Sequence, residues 1–200
     1  MGRNKKINMK RSILITGVAG SGKTTISNKL KEMGYTAYDI DRVKGLCRMV
    51  HKETGATLEK QDNDNLEEVV KGDWICDADE LKKLIANTPD KIAFYCGVNS
   101  NMEELIPLFD KLIMLKANEE ATRERLTNRT SNDFGRTAEV QDWIMTWKDW
   151  WEKEMIEKGA VVIDSNRPLD GIVKEIIERS MENSEPSREV KPPIDKNFLK

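Results

Sequence analysis

Ser12-Ile-Leu-Ile-Thr16, Gly17-Val-Ala-Gly-Ser-Gly22-Lys23-Thr24-Thr25 and Ile26-Ser-Asn-Lys-Leu-Lys-Glu-Met33 follow one another without a break. The middle segment matches G-x-x-x-x-G-K-[ST], the phosphate-cradling P-loop. The β-branched apolar run before it predicts a buried strand. The run after it puts Ile26, Leu30 and Met33 on one face, which predicts a helix over Lys23–Met33. Gly17, Gly20 and Gly22 let the backbone turn tightly, so that the N–H groups around Ala19, Ser21 and Thr25 can point at phosphate oxygens. A helix N-terminus adds partial positive charge at the same spot. Lys23 is placed to bridge β- and γ-phosphates and the Thr24 hydroxyl to ligate Mg²⁺. The alternative, a glycine-rich turn with a surface lysine, does not require strand, loop and helix in this order.

The chain has 200 residues, 38% hydrophobic and 34% charged, with a net charge of -2. This is the composition of one globular α/β domain with both signs of charge interspersed. It lacks the basic footprint of a nucleic-acid binder. Cys47, Cys76 and Cys96 are scattered, form no CxxC and read as reduced thiols in a cytoplasmic protein. The basic start (Arg3, Lys5, Lys6, Lys10, Arg11) leads into an apolar run too short for a signal peptide, and no stretch reaches membrane-spanning length.

Five apolar runs predict strands at Ser12–Thr16, Thr36–Tyr38, Ile92–Cys96, Leu112–Leu115 and Ala160–Ile163. Helical periodicity predicts Asp79–Ala86, Asn101–Phe109, Glu119–Asn128 with Asn118 as N-cap, Ala138–Lys158 and Leu169–Met181. Strands alternating with helices argue a parallel sheet covered on both faces. Residues 42–76 are polar, carry Asp62-Asn-Asp-Asn65, and predict an inserted, mobile segment with short helices. Residues 182–200, charged and proline-rich, predict a disordered tail. The domain expected between these limits is 11–181.

On the P-loop, the second strand and the arginines after the fourth, the chain resembles the nucleoside monophosphate kinase and shikimate kinase group of P-loop kinases. The resemblance runs from about Arg11 to Arg179. It implies a P-loop NTPase three-layer sandwich, a five-stranded sheet of order 2-3-1-4-5, an acceptor-binding insertion at 42–76 and an arginine-bearing lid at 129–137. It also implies ATP and Mg²⁺ as cofactors and a small-molecule phosphoryl acceptor. In the second strand, Asp39 and Asp41 stand two apart, so both carboxylates can face one site at the ligand end of the sheet. By resemblance Asp39 serves the metal with Thr24, and Asp41 meets the acceptor and acts as general base. A solvent-facing pair capping the next helix is the alternative.

The third strand ends Gly97-Val-Asn99-Ser-Asn101. Gly97 permits close backbone approach, while Asn99 and Asn101 either bind the acceptor or cap the following helix. The triple glycine of shikimate kinases and the D-G-[FY]-P-R of adenylate kinases are both absent. Arg125 and Arg129 share a helix face. With Arg136 they fall where such kinases carry lid arginines. Arg129 and Arg136 are the candidates for the transferred phosphate, and the alternative is an ordinary charged surface. Ser165, Arg167 and Pro168 follow the fifth strand, where relatives hold adenine; a plain strand-to-helix turn is the other reading. Trp143, Trp147, Trp150 and Trp151 fall on one helical face, which either packs on the sheet or walls a substrate ring. Trp74 is the single tryptophan expected to touch the acceptor, and His51 reads as a surface residue.

The leading expectation is a kinase acting on a nucleoside, nucleotide or small hydroxylated metabolite. An ATPase without an acceptor is the second. No strand ends in the apolar-then-Asp-Glu arrangement that activates water. A nucleotide-dependent regulatory module is the third.

Overall fold

The computed structural model describes residues 10–130 and 132–182. The central strand, β1 (Arg11–Thr16), is buried along almost its whole length because both its faces are covered. It hydrogen-bonds in parallel to β5 (Ile92–Cys96) and β6 (Lys111–Lys116). The outer strands are β2 (Thr36–Asp39) beside β5 and β7 (Val161–Asp164) beside β6. The five-stranded order is β2-β5-β1-β6-β7. Counted along this sheet alone, it is the 2-3-1-4-5 order implied by the P-loop kinase resemblance.

Alternation along β1 builds the three layers. Ile13 and Ile15 point to one face and pack with Ile26 and Leu30 of α1 (Lys23–Glu32) and with Ile172, Val173 and Ile176 of α7 (Leu169–Met181). Leu14 points to the other face. It joins Leu81 of α3 (Ala78–Asn87), Leu105 of α4 (Met102–Leu105) and Trp151 and Met155 of α6 (Ala138–Glu157). Helix α5 (Glu119–Asn128) starts at Asn118, whose side chain accepts from the Ala121 N–H as expected of an N-cap. The helix predicted over 101–109 is shorter: α4 gives way to a 3₁₀ turn, Ile106–Leu108, with Pro107 inside it. Proline has no N–H to continue an α-helical ladder.

The polar 42–76 stretch predicts no strands, and the structure has two. β3 (Cys47–His51) and β4 (Gly72–Cys76) form an antiparallel hairpin, with the one-turn helix α2 (Leu66–Val69) in its long connection. Both strands are mostly half-exposed, so no apolar alternation marks them. The tryptophan face also needs correction. Trp147 and Trp151 pack toward the sheet and Trp143 lies against Trp147 at 5.6 Å, but Trp150 is 65% exposed. At about 100° per residue, Trp150 stands well round the helix from the buried ridge of Val140, Ile144, Trp151 and Met155. All of the expected C-terminal tail, 182–200, except Glu182 lies outside the described residues, as do Arg3, Lys5 and Lys6. Among the described residues no helix is long and apolar enough to cross a membrane.

Candidate active site

The P-loop joins β1 to α1. Gly17 has φ 150°, and a Cβ there would lie 2.6 Å from both the Leu115 carbonyl oxygen and Ser21 Oγ. Gly22 caps α1 in a left-handed conformation with no side-chain cap bond, which leaves the first-turn N–H groups of a ten-residue helix for an anion. Lys23 Nζ lies over the loop and donates to the carbonyls of Gly17 (2.5 Å) and Val18 (3.0 Å). Burial lowers its pKa to about 8, against the opposing pull of Asp41 and Asp39. Ser21 Oγ is buried with no partner among the described residues. Thr25 follows on the exposed side of the first turn.

The two carboxylates part company. β2 ends at Asp39, and Asp41 lies in a 3₁₀ turn, Ile40–Arg42, rather than two places along a strand. Asp39 is buried and its Oδ2 accepts from Thr24 Oγ1 at 2.8 Å. The same oxygen is 3.5 Å from Arg42 Nε. Asp41 Oδ1 accepts from the Trp74 indole N–H at 3.1 Å across to β4, and the Val98 backbone N–H also donates to this carboxylate. Burial pushes the Asp41 carboxyl up to about 6, while Lys23, Trp74 and Val98 hold it down.

Trp74 is thus brought to the site, with its polar handle spent on Asp41. Gly97 also reaches it, for a reason the sequence does not show. A Cβ there would meet Ile40 Cγ1 at 2.3 Å and Asp41 Oδ1 at 3.2 Å, so the glycine makes room for the turn that carries Asp41. Asn99 is buried. Its Nδ2 donates to Cys47 Sγ at 3.5 Å, and its Oδ1 has no partner among the described residues. Asn101 is the N-cap residue of α4, but its side chain makes no cap bond. Its side chain accepts from Cys76 N–H (3.1 Å) and donates to Cys76 C=O (2.9 Å), pinning the end of β4.

The three arginines expected in a lid have different surroundings. Arg125 ties elements together, donating to Ser165 O at 2.7 Å and, at 3.4 Å each, to Ser165 Oγ and the Gly20 carbonyl. Arg129 caps the end of α5. Burial lowers its pKa, and its Nε has no partner among the described residues. Arg136 pairs with Asp64 in the hairpin connection at 3.4 Å, and Asn63 beside it donates to Asp133 at 2.8 Å. Ser165 is buried between β6 and Arg125. Arg167 turns away, bonded to Glu175 of α7 and the Asp164 carbonyl, and Pro168 is the N-cap of α7. The Arg167 side chain is thus engaged within its own loop and α7. His51 sits on β3 far along the hairpin, its Nδ1 accepting from the Glu53 N–H.

Sequence reasoning missed Arg42. With Thr24, Asn28, Lys31, Tyr38, Asp39 and Val43 it lines a cleft of about 190 Å³ beside the P-loop. Its signal was its place three residues after Asp39, where one 3₁₀ turn returns it to that carboxylate. Thr24 and Asp39 supply the hard oxygen donors that suit Mg²⁺, so this corner fits that ion.

The family described as AAA domain matches residues 13–146. No curated protein matches the sequence significantly. Among solved structures, the deoxyadenosine kinase from M. mycoides with bound dATP is similar at 14% identity and TM-score 0.52, covering 84% of this chain and 98% of its own. TT1252 from Thermus thermophilus is similar at 15% identity and TM-score 0.54, covering 88% and 100%. A sugar kinase from Janibacter sp. HTCC2649 is similar at 17% identity and TM-score 0.50, covering 84% and 93%. At these identities the likeness is one of fold.

Proposed function

The chain belongs to the AAA domain family, and from that premise we propose that it is an ATP- and Mg²⁺-dependent kinase that phosphorylates a hydroxyl of a small molecule. The acceptor class is a nucleoside, a nucleotide or a small hydroxylated metabolite. The observation that carries this reading is the division of labour between Asp39 and Asp41. One carboxylate is committed to Thr24 of the P-loop, and the other is held by Trp74 of the hairpin with its proton affinity raised to about 6.

The chemistry follows from placement. The γ-phosphate lies against the P-loop N–H groups, and Lys23 moves from the Gly17 and Val18 carbonyls to the phosphate oxygens. Thr24 and Asp39 would hold Mg²⁺, which neutralises charge on the phosphates when bound. Asp41, ionised above pH about 6, takes the proton of the acceptor hydroxyl. The acceptor oxygen bonds to the γ-phosphorus as the bond to the bridging oxygen breaks, and ADP leaves with that electron pair. Arg129, with its unpaired N–H, stabilises the transferring phosphoryl group. Arg136 reaches it only by exchanging Asp64 for phosphate. Arg125 holds the Ser165 loop to the P-loop on the nucleotide side. Cytoplasmic ATP and an acceptor pool fit a chain whose three cysteines are free thiols.

The test is ADP release from Mg²⁺-ATP with pooled nucleosides, nucleoside monophosphates, sugars and hydroxy acids. Deoxynucleosides and sugars go first, since two proteins of this fold are named for them. Stimulation by one acceptor that disappears in Lys23→Ala is expected. Equal ADP release with and without every acceptor would sink the kinase reading.

A further inference from the structure

The hairpin brings together two cysteines that the sequence leaves scattered. Its register sets Cys47 opposite Cys76 and Met49 opposite Trp74. The ladder shows which kind of pair this is. Asp77 N–H donates to Leu46 C=O at 2.9 Å and Lys52 N–H to Lys71 C=O at 2.8 Å, so Leu46, Arg48, Val50 and Lys52 occupy the hydrogen-bonded positions. The backbone N–H and C=O of Cys76 point the other way, to the Asn101 side chain. Cys47 and Cys76 are therefore a non-hydrogen-bonded pair, in which facing Cα atoms approach to about 4.5 Å and side chains lie closest. A disulfide bridges Cα separations from about 4.4 Å upward, so side-chain rotation alone is enough to join these two.

The two sulfurs already interact. The Cys47 S–H donates to the Ile40 carbonyl at 3.4 Å, and the neighbouring sulfurs push the Cys47 thiol up and draw the Cys76 thiol down. Cys47 is half-buried, within reach of a small oxidant, whereas Cys96 lies on the other face of the sheet among Ile15, Ile26 and Phe94. We propose that Cys47 and Cys76 are a reversible thiol–disulfide site, closed by a peroxide-class oxidant and opened by thiol reductants. One thiolate attacks the peroxide O–O bond, becomes a sulfenic acid and releases hydroxide. The second thiol displaces the sulfenic hydroxyl, forming S–S and releasing water. Two electrons pass from the two thiols to the peroxide.

The site abuts the acceptor machinery. Cys47 Sγ is the atom that holds Asn99 Nδ2, and Trp74, two residues before Cys76, holds Asp41. Turning Cys47 toward Cys76 releases Asn99 from its only side-chain acceptor among the described residues. Oxidation therefore weakens acceptor use while leaving the P-loop intact. This consequence rests on the kinase reading; the bond itself does not.

The experiment treats the full chain with hydrogen peroxide, alkylates the remaining thiols and maps peptides by mass spectrometry. A joined Cys47–Cys76 peptide, with Cys96 alone alkylated and full reversal by dithiothreitol, is expected. Three alkylated cysteines after treatment, or a bond that includes Cys96, overturns the site. In the acceptor assay the oxidised wild type should lose activity severalfold, chiefly through KM, and Cys76→Ser should be indifferent to peroxide. An oxidised wild type with unchanged KM and kcat overturns the effect on the acceptor. If the bond forms but no acceptor ever stimulates turnover, it is the kinase reading that fails and the thiol–disulfide site that stands.

Discussion

Asp41 is held in a state that costs stability. Its carboxyl titrates at about 6 in the fold against an ordinary 3.8, chiefly because it is buried. A group whose folded pKa is raised contributes its full stability below the unfolded value and loses it as pH rises through the folded one. Between pH 3.8 and pH 7 the native state therefore forfeits up to about 3 kcal/mol at this one side chain, at about 1.36 kcal/mol per pKa unit. Asp41→Asn cannot ionise and escapes that loss. The variant should be more stable than wild type at pH 7–8, and the difference should shrink as pH falls from 6 toward 4. Urea unfolding at several pH values checks this; a gap that ignores pH would mean Asp41 is not the titrating group. The same variant should lose roughly 10²-fold or more of acceptor-dependent kcat, the range a positioned general base contributes. Stability gained and activity lost by one amide is the signature of a carboxylate kept for chemistry.

The junction of β5 with the 3₁₀ turn at Ile40–Arg42 sets where that carboxylate sits. The two come so close at Gly97 that any Cβ would enter Ile40. Gly97→Ala must push the turn away, and overpacking of this kind costs about 1–3 kcal/mol. The expected result is a lower Tm together with a fall in kcat, because Asp41 moves with the turn; a loss of stability with kcat unchanged would separate the two. The contrast with the P-loop explains what the sequence could tell. Residues 12–33 are legible because strand, loop and helix are contiguous and the loop chemistry is local. The hairpin is not, because its strands are half-exposed and their partner lies across a long connection. Gly97 reads as a glycine at a strand end, but its reason is Ile40, far away in sequence. Asp39 and Asp41 are legible as a pair, while their divergence depends on β2 stopping at Asp39. The pairing of Arg167 with Glu175 on the following helix has no local signal either.

Ties across the whole nucleotide side make the fold a unit that ATP or ADP can tighten. Arg125 of α5 joins the Gly20 carbonyl to Ser165 beyond β7. Asn63 and Asp64 of the hairpin connection meet Asp133 and Arg136 of the segment between α5 and α6. Leu66 and Val69 of α2 pack with Phe134, Ala19 and the upper part of α6. P-loop, hairpin and the segment between α5 and α6 thus share contacts, and a ligand bound at the P-loop stabilises all of them by linkage. Held at a hundred times its Kd, such a ligand adds about 2.7 kcal/mol. For a chain of this size that raises Tm by about 5–10 °C. ADP serves as the probe, since it cannot be turned over during the scan. The shift should appear in wild type, survive in Asp41→Asn and collapse in Lys23→Ala, which removes the ammonium that lies over the P-loop. An equal shift in Lys23→Ala would move the nucleotide off the P-loop, and the assignment of every other residue around it would fall with that move.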